Sequence, residues 1–164
     1  MADVFVRIDD RLIHGQVVES WVPYLKVDEV VVVSEEAVND DMCRNLMRLS
    51  LPEEVDLKVV TVKACADYIG QQSAALAGKT GKRILVLVSG PGDVLDLMQS
   101  GMKISKVNVG GMHYSAGKMQ VGRAIFLSEE DRKSLKDISA GDVELEGRGV
   151  PSDKPLNLIQ LLGN

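Results

Sequence analysis

Five short runs of β-branched and other apolar residues recur along the chain, each separated from the next by a stretch with helical spacing, and this alternation limits the folds open to it. The runs are Val4-Phe5-Val6-Arg7-Ile8, Val30-Val31-Val32-Val33, Leu57-Lys58-Val59-Val60-Thr61-Val62, Ile84-Leu85-Val86-Leu87-Val88 and Ile104-Ser105-Lys106-Val107-Asn108-Val109. A strand covered on one face alternates apolar with polar residues, whereas a run apolar at consecutive positions suits a strand covered on both. The intervals fit helices. Val17, Val18, Trp21 and Leu25 share one face after Gly15; Met42, Leu46 and Leu49 share another after the capping candidates Asn39 and Asp40, with Pro52 closing that segment. Residues 64–76 are alanine-rich and end near Gly78, while 91–98 open on Pro91 and end near Gly101. In the last third, 124–127 reads as a strand, Ser128-Glu129-Glu130-Asp131 as a helix start with acids at its positive end, 143–146 as a short strand and 156–162 as a helix packed back on the sheet. The pattern predicts an α/β fold: an open doubly wound, mainly parallel β-sheet with helices on both faces, in one domain over residues 1–164.

Composition removes several functions. The net charge of −5 comes with no block of Lys and Arg, so the chain has no platform for nucleic-acid phosphates. No apolar stretch approaches the roughly 20 residues that span a bilayer, and the start Met1-Ala2-Asp3-Val4 lacks the basic and then apolar pattern of a signal peptide. A cytoplasmic protein is expected. Cys43 and Cys65 are far apart and lack metal-ligand spacing, so both read as reduced, buried small hydrophobes, with no metal site.

The chemistry concentrates in Arg7-Ile8-Asp9-Asp10-Arg11-Leu12-Ile13-His14-Gly15-Gln16. If the first strand ends near Ile8, residues 9–14 form the loop at its carboxyl end, where doubly wound sheets hold ligands. His14 then stands at a helix N-terminus, whose unpaired N–H groups and partial positive charge suit a phosphoryl group. A histidine that accepts phosphate attacks as neutral imidazole, held in one tautomer by a partner on its other nitrogen; Asp9 or Asp10 can serve. Arg11 offers a planar fork to phosphoryl oxygens, Gly15 lets backbone come close, and Gln16 adds a donor. The spacing fits equally a solvated turn in which the charges pair locally and His14 only caps the helix.

The same run, with Trp21 after it, resembles the N-terminal signature of the IIB component of the mannose/sorbose family of the bacterial sugar phosphotransferase system. The resemblance continues through Asn108-Val109-Gly110-Gly111-Met112, Gly117-Lys118, Leu127-Ser128-Glu129-Glu130 and Gly149-Val150-Pro151. It implies a phosphohistidine carrier: His14 takes phosphate on Nδ1 from a IIA phosphohistidine and passes it to sugar entering through the IIC and IID membrane components, with Arg11 and Asp10 in the active loop. Asp10 is expected ahead of Asp9 as the orienting acid, with the choice between them open. No cofactor is implied beyond the covalent phosphate, and the family makes a homodimer plausible and membrane association peripheral, through IIC and IID. The chain departs from many relatives at Ser34-Glu35-Glu36, where Asp-Asp is common, and at Ser89-Gly90-Pro91-Gly92, where a basic residue is common.

Other residues fit simpler roles. Gly110 and Gly111 follow a strand end, so they read either as a plain turn or as backbone that approaches the phosphoryl group across the crevice. Ser89–Gly92 lacks both the GxGxxG spacing and a P-loop lysine, which leaves Pro91 as a helix opener. Trp21 fits the buried face of its helix, and Met42, Met47, Met98 and Met102 fit core or subunit contacts. His113 reads as a surface or partner-contact residue, and Met112-His113-Tyr114 resembles relatives serving amino sugars such as N-acetylgalactosamine. Two other classes compete with the carrier. A domain that binds a small anion or nucleotide without turnover would use the same crevice. A histidine hydrolase or mutase would need a second acid-base group, and the Leu-Ile-His-Gly run here differs from the Arg-His-Gly run of those enzymes.

Overall fold

The computed structural model describes residues 3–75 and 81–163. Its main sheet has seven strands in the order β3-β2-β4-β1-β5-β8-β9. These are β1 (Asp3–Asp9), β2 (Glu29–Val33), β3 (Asp56–Val60), β4 (Arg83–Val88), β5 (Lys106–Gly111), β8 (Glu144–Gly147) and β9 (Leu156–Asn157). All neighbours pair parallel except β9, which closes the edge antiparallel to β8. A separate antiparallel hairpin, β6 (Met119–Gly122) and β7 (Ile125–Leu127), is joined to the end of β5 through a bridge between Met112 and Ile125. The expected open, mainly parallel sheet is the fold observed.

Side-chain alternation divides the core. Val31, Val33, Ile84, Val86, Val88, Val6, Ile8, Val107 and Val109 point into one cluster, covered by α4 (Val62–Ala75), α5 (Pro91–Gln99), α6 (Glu129–Ala140) and α7 (Leu158–Leu162). Val30, Val32, Leu85 and Leu87 point the other way, against Val17 and Val22. Those two valines belong to a π-helical segment, Val17–Trp21, that runs on into α1 (Val22–Leu25). Each of these fully buried aliphatic side chains contributes about 1.5–3 kcal/mol. The chain therefore leaves β1 toward one face and leaves β5 toward α6 on the other, opening a crevice between the carboxyl ends of adjacent strands.

Boundaries differ from the sequence pattern in places with clear causes. Val62, placed in a strand by its branching, starts α4, because the Thr61 hydroxyl accepts the Ala64 N–H and caps that helix. The proposed end of this helix at Leu76 and Gly78 lies outside the described residues. At Ser34-Glu35-Glu36, Ser34 caps a short helix, α2 (Glu35–Val38). Asp40 accepts the Cys43 N–H and caps α3 (Asp41–Ser50). The α3 stripe Met42, Leu46 and Leu49, read as a buried face, is 73%, 60% and 81% exposed. Its other side is the anchor: Arg48 donates to the Val55 and Pro52 carbonyls, Arg44 to Ala37 and Val38, and Met47 packs into the core. Trp21, Met102 and Cys65 are buried, while Cys43 is half-buried.

Candidate active site

The first strand supplies the floor of the site. Along β1, Val6 and Ile8 enter the core, so the period of two turns Phe5, Arg7 and Asp9 to the opposite face. Arg7 and Asp9 are 1% and 0% exposed. A buried charge pair needs its remaining donors and acceptors filled, and here they largely are. Arg7 Nη2 donates to Asp9 Oδ2 at 3.2 Å and to the Gly149 carbonyl at 2.9 Å; Nη1 donates to the Arg148 carbonyl at 2.9 Å and to Asn108 Oδ1. The guanidinium also lies 4.8 Å from the centre of the Trp21 ring, whose Nε1 donates to Gly149 at 2.9 Å. Burial pulls the Arg7 pKa below its ordinary value, and the charge and hydrogen bond of Asp9 oppose that pull.

Asp9 passes this anchoring to the histidine. Its Oδ2 lies 2.9 Å from His14 Nε2, and its Oδ1 accepts the Arg11 N–H at 3.2 Å. A carboxylate held beside Arg7 only accepts, so neutral His14 carries its proton on Nε2 and leaves Nδ1 as the lone-pair nitrogen. The His14 side chain is 14% exposed. Its carbonyl accepts the Val18 N–H at 3.0 Å as helical backbone begins at Gly15. The ring thus stands at the positive end of a helix, among backbone N–H groups that have no earlier carbonyl to meet.

The acid that meets His14 is therefore Asp9, not Asp10. Asp10 turns to the neighbouring strand end: its amide donates to the Gly111 carbonyl at 2.9 Å, and its carboxylate accepts the His113 N–H at 2.7 Å and the His113 Nδ1–H. Alternation explains the split, since consecutive residues leaving a strand face opposite ways. Arg11, Gly15 and Gln16 are exposed around His14, and space is open where a Gly15 Cβ would project.

Gly110 and Gly111 are buried members of β5 rather than a loop, and their missing side chains make room for the charge pair. A Cβ on Gly110 would fall 1.9 Å from the Arg7 guanidinium carbon, and one on Gly111 would fall 2.8 Å from Asp9 Oδ1. Gly110 and Gln16 also line a cleft of about 400 Å³ with Arg123, Arg148, Gly149 and Lys154. Arg123, Arg148 and Lys154 were not singled out by sequence reasoning, and Arg7 was quoted in the run without a role. Only Arg7 carried a signal, as the polar residue spaced by two from Asp9 in an otherwise apolar strand.

Among the described residues, no group of three or more His, Cys, Asp or Glu side chains is placed to hold a metal ion, and no helix is long and apolar enough to cross a membrane. Cys65 is away from this chemistry, and burial pushes its thiol up to about 12.

Residues 3–164 match a family model described as the sorbose subfamily IIB component of the PTS system. The chain is 37% identical over 156 residues to the mannose-specific EIIAB component of the PTS system of Escherichia coli K12, covering 95% of this chain and 47% of that protein. It thus spans about half the length of such mannose-specific relatives. It is 33% identical to the fructose-specific EIIB component of Bacillus subtilis, covering 98% of this chain and 96% of that one. The fold superposes on the crystal structure of the IIBSor domain of the sorbose permease from Klebsiella pneumoniae with a TM-score of 0.87 at 28% identity, over 99% of this chain and 96% of that one. The chain belongs to the sorbose subfamily of IIB components of the sugar phosphotransferase system.

Proposed function

We propose that the chain is a phosphohistidine carrier and phosphotransferase in sugar uptake, with His14 Nδ1 as the phosphoryl acceptor. The observation that carries this reading is the contact between His14 Nε2 and buried Asp9, which holds the ring in the one neutral tautomer that has its lone pair on Nδ1. In the first transfer that lone pair attacks phosphorus on a IIA phosphohistidine. The new N–P bond forms as the donor's N–P bond breaks, and the donor imidazole takes back its electron pair. The positive charge that develops on His14 is offset by Asp9, whose own place is held by Arg7. Arg11 and the first N–H groups of the helix, with Gly15 and Gln16, receive the phosphoryl oxygens. In the second transfer a sugar hydroxyl attacks phosphorus: the O–P bond forms as the N–P bond breaks, the N–P pair returns to His14, and the hydroxyl proton passes to solvent.

No metal or nucleotide enters this cycle, because a phosphoramidate is already a good donor and the chain supplies position and charge. The partners are IIA, the IIC and IID membrane components and the sugar, on the cytoplasmic side of the membrane. Relatives are described with different sugars, and Met112-His113-Tyr114 favours an amino sugar such as N-acetylgalactosamine. The test is reconstitution with phosphoenolpyruvate, the general phosphotransfer proteins and a cognate IIA. The wild-type chain takes up one acid-labile phosphate and His14→Ala takes up none; equal labelling of that variant refutes the assignment.

A further inference from the structure

The sheet face that carries Phe5, Arg7 and Asn108 is only partly covered. The helix after β1 is short, and past Trp21 and Tyr24 the cover ends, leaving a cavity of about 270 Å³ over the amino-terminal halves of β1 and β5. It is a different space from the cleft beside Gln16: it opens on Phe5, which is 37% exposed although it lies on a central strand, and on Tyr24, which is 55% exposed. Besides Arg7, the polar groups on its lining are Lys103, Ser105, Lys106, Asn108, Glu146 and Arg148; Asn108 Nδ2 donates to Glu146 Oε2 at 3.0 Å, and Glu146 pairs with Lys106 at 3.5 Å and with Arg148 at 3.7 Å. On its floor is Arg7, which is 1% exposed and has one donor, Nε, without a partner. Four of the five N–H positions of that guanidinium face acceptors in the protein. The fifth is buried and unspent, a cost that the packing around the guanidinium carries.

The combination is chemically specific. Flat apolar walls of Phe5 and Tyr24 suit the C–H face of a pyranose or furanose ring. The Asn108 amide, the Glu146 carboxylate, the Ser105 hydroxyl, the Lys103 and Lys106 ammonium groups and the Arg148 guanidinium around them suit hydroxyls, each of which both donates and accepts. The volume is small beside the pockets of about 300–1,000 Å³ that hold drug-sized ligands, and it suits one sugar ring. We propose that this cavity is a monosaccharide site separate from the phosphotransfer loop, with ring hydroxyls meeting Asn108, Glu146 and Arg148. The choice of a sugar among small polyols rests on the carrier reading above; the site's existence does not.

Trp21 lines the same cavity and is the single tryptophan of the chain, so its emission reports occupancy directly. The experiment titrates the full chain with mannose, fructose, sorbose and N-acetylgalactosamine, following Trp21 fluorescence and ligand-observed NMR saturation transfer. At least one sugar gives a saturable response in wild type. Tyr24→Ala, a change at an exposed ring, weakens it by about tenfold or more, equivalent to about 1.4 kcal/mol. His14→Ala, which cannot carry phosphate, binds that sugar as wild type does, so loss of phosphate labelling and loss of sugar binding are read separately. The proposal is overturned if none of the four sugars gives a saturable response, or if the response is the same in Tyr24→Ala.

Discussion

Asp9 and Asp10 are neighbours in the chain, and each holds a histidine, yet they do it under opposite conditions. Asp9 is fully buried, shares one oxygen between Arg7 and His14, and leaves Nδ1 of His14 as the free nitrogen. Asp10 is on the surface, its side chain 30% exposed, and takes Nδ1–H of His113, so that in the neutral ring Nε2 is the free nitrogen. The residue types and the hydrogen-bond chemistry are the same in both pairs. What differs is dielectric and connectivity: one carboxylate is a link between buried groups, the other a clasp between two loop ends in water.

The difference is sharpest in Arg7→Ala. Removing the guanidinium strands Asp9 as an unpaired buried charge and should cost about 3–5 kcal/mol in urea denaturation; a loss no greater than that of an exposed pair would erase the distinction between the two acids. Next, Asp9→Asn keeps the shape but lets the amide present either a donor or an acceptor to Nε2. Phosphoryl transfer to His14 should fall by about a hundredfold or more while the chain stays folded. Wild-type labelling kinetics in that variant would show that the tautomer is fixed by something else. Gly110→Ala drives a methyl into the space of the Arg7 guanidinium and should cost about 1–3 kcal/mol, seen as a lower Tm.

Asp10→Ala tests the other pair, and its cost should be about 1 kcal/mol or less, as for a solvated ion pair. A loss as large as that from Arg7→Ala would mean that the clasp to His113 is structural. The cysteines repeat the contrast on a smaller scale. Native protein treated with a thiol reagent at neutral pH should modify half-buried Cys43 first, and Cys65 only on unfolding. Because burial raises the Cys65 thiol from 9.0 to about 12, folding favours its neutral form. That contribution is complete below the ordinary thiol value and is lost as pH rises from there toward the raised one.

The fold was legible because burial on both faces writes itself into consecutive residues, as in 84–88, and because caps such as Asp40 and Ser128 are local signals. Ser128 and Asp131 close a reciprocal capping box that any reader of Ser-Glu-Glu-Asp can anticipate. The α3 stripe misled because a helix records which of its faces is apolar, whereas the choice of face for the core is made elsewhere, here by arginines reaching backbone carbonyls. At the site, the run from Arg7 to Gln16 contained the residues that the structure gathers around His14. The division of labour between its acids was not written there, since it depends on which side of β1 each residue leaves. The roles of Gly110 and Gly111 were equally hidden, because the side chains that need their space come from a strand about a hundred residues earlier.

Leu12 carries one more implication. It holds a left-handed backbone, φ +58°, that a leucine adopts rarely, and its half-buried side chain packs against the core. Hydrogen bonds from the Leu12 amide to Asp9 and from the Asp10 amide to Gly111 fix the loop on either side. The segment before His14 is thus held at both ends. In the proposed carrier cycle, a histidine mounted in this way does not reach out from donor to acceptor. Whatever distance separates the two must be covered by rotation and diffusion of the entire molecule, or by its partners coming to it, so turnover should be set by encounters between proteins rather than by any motion within this chain.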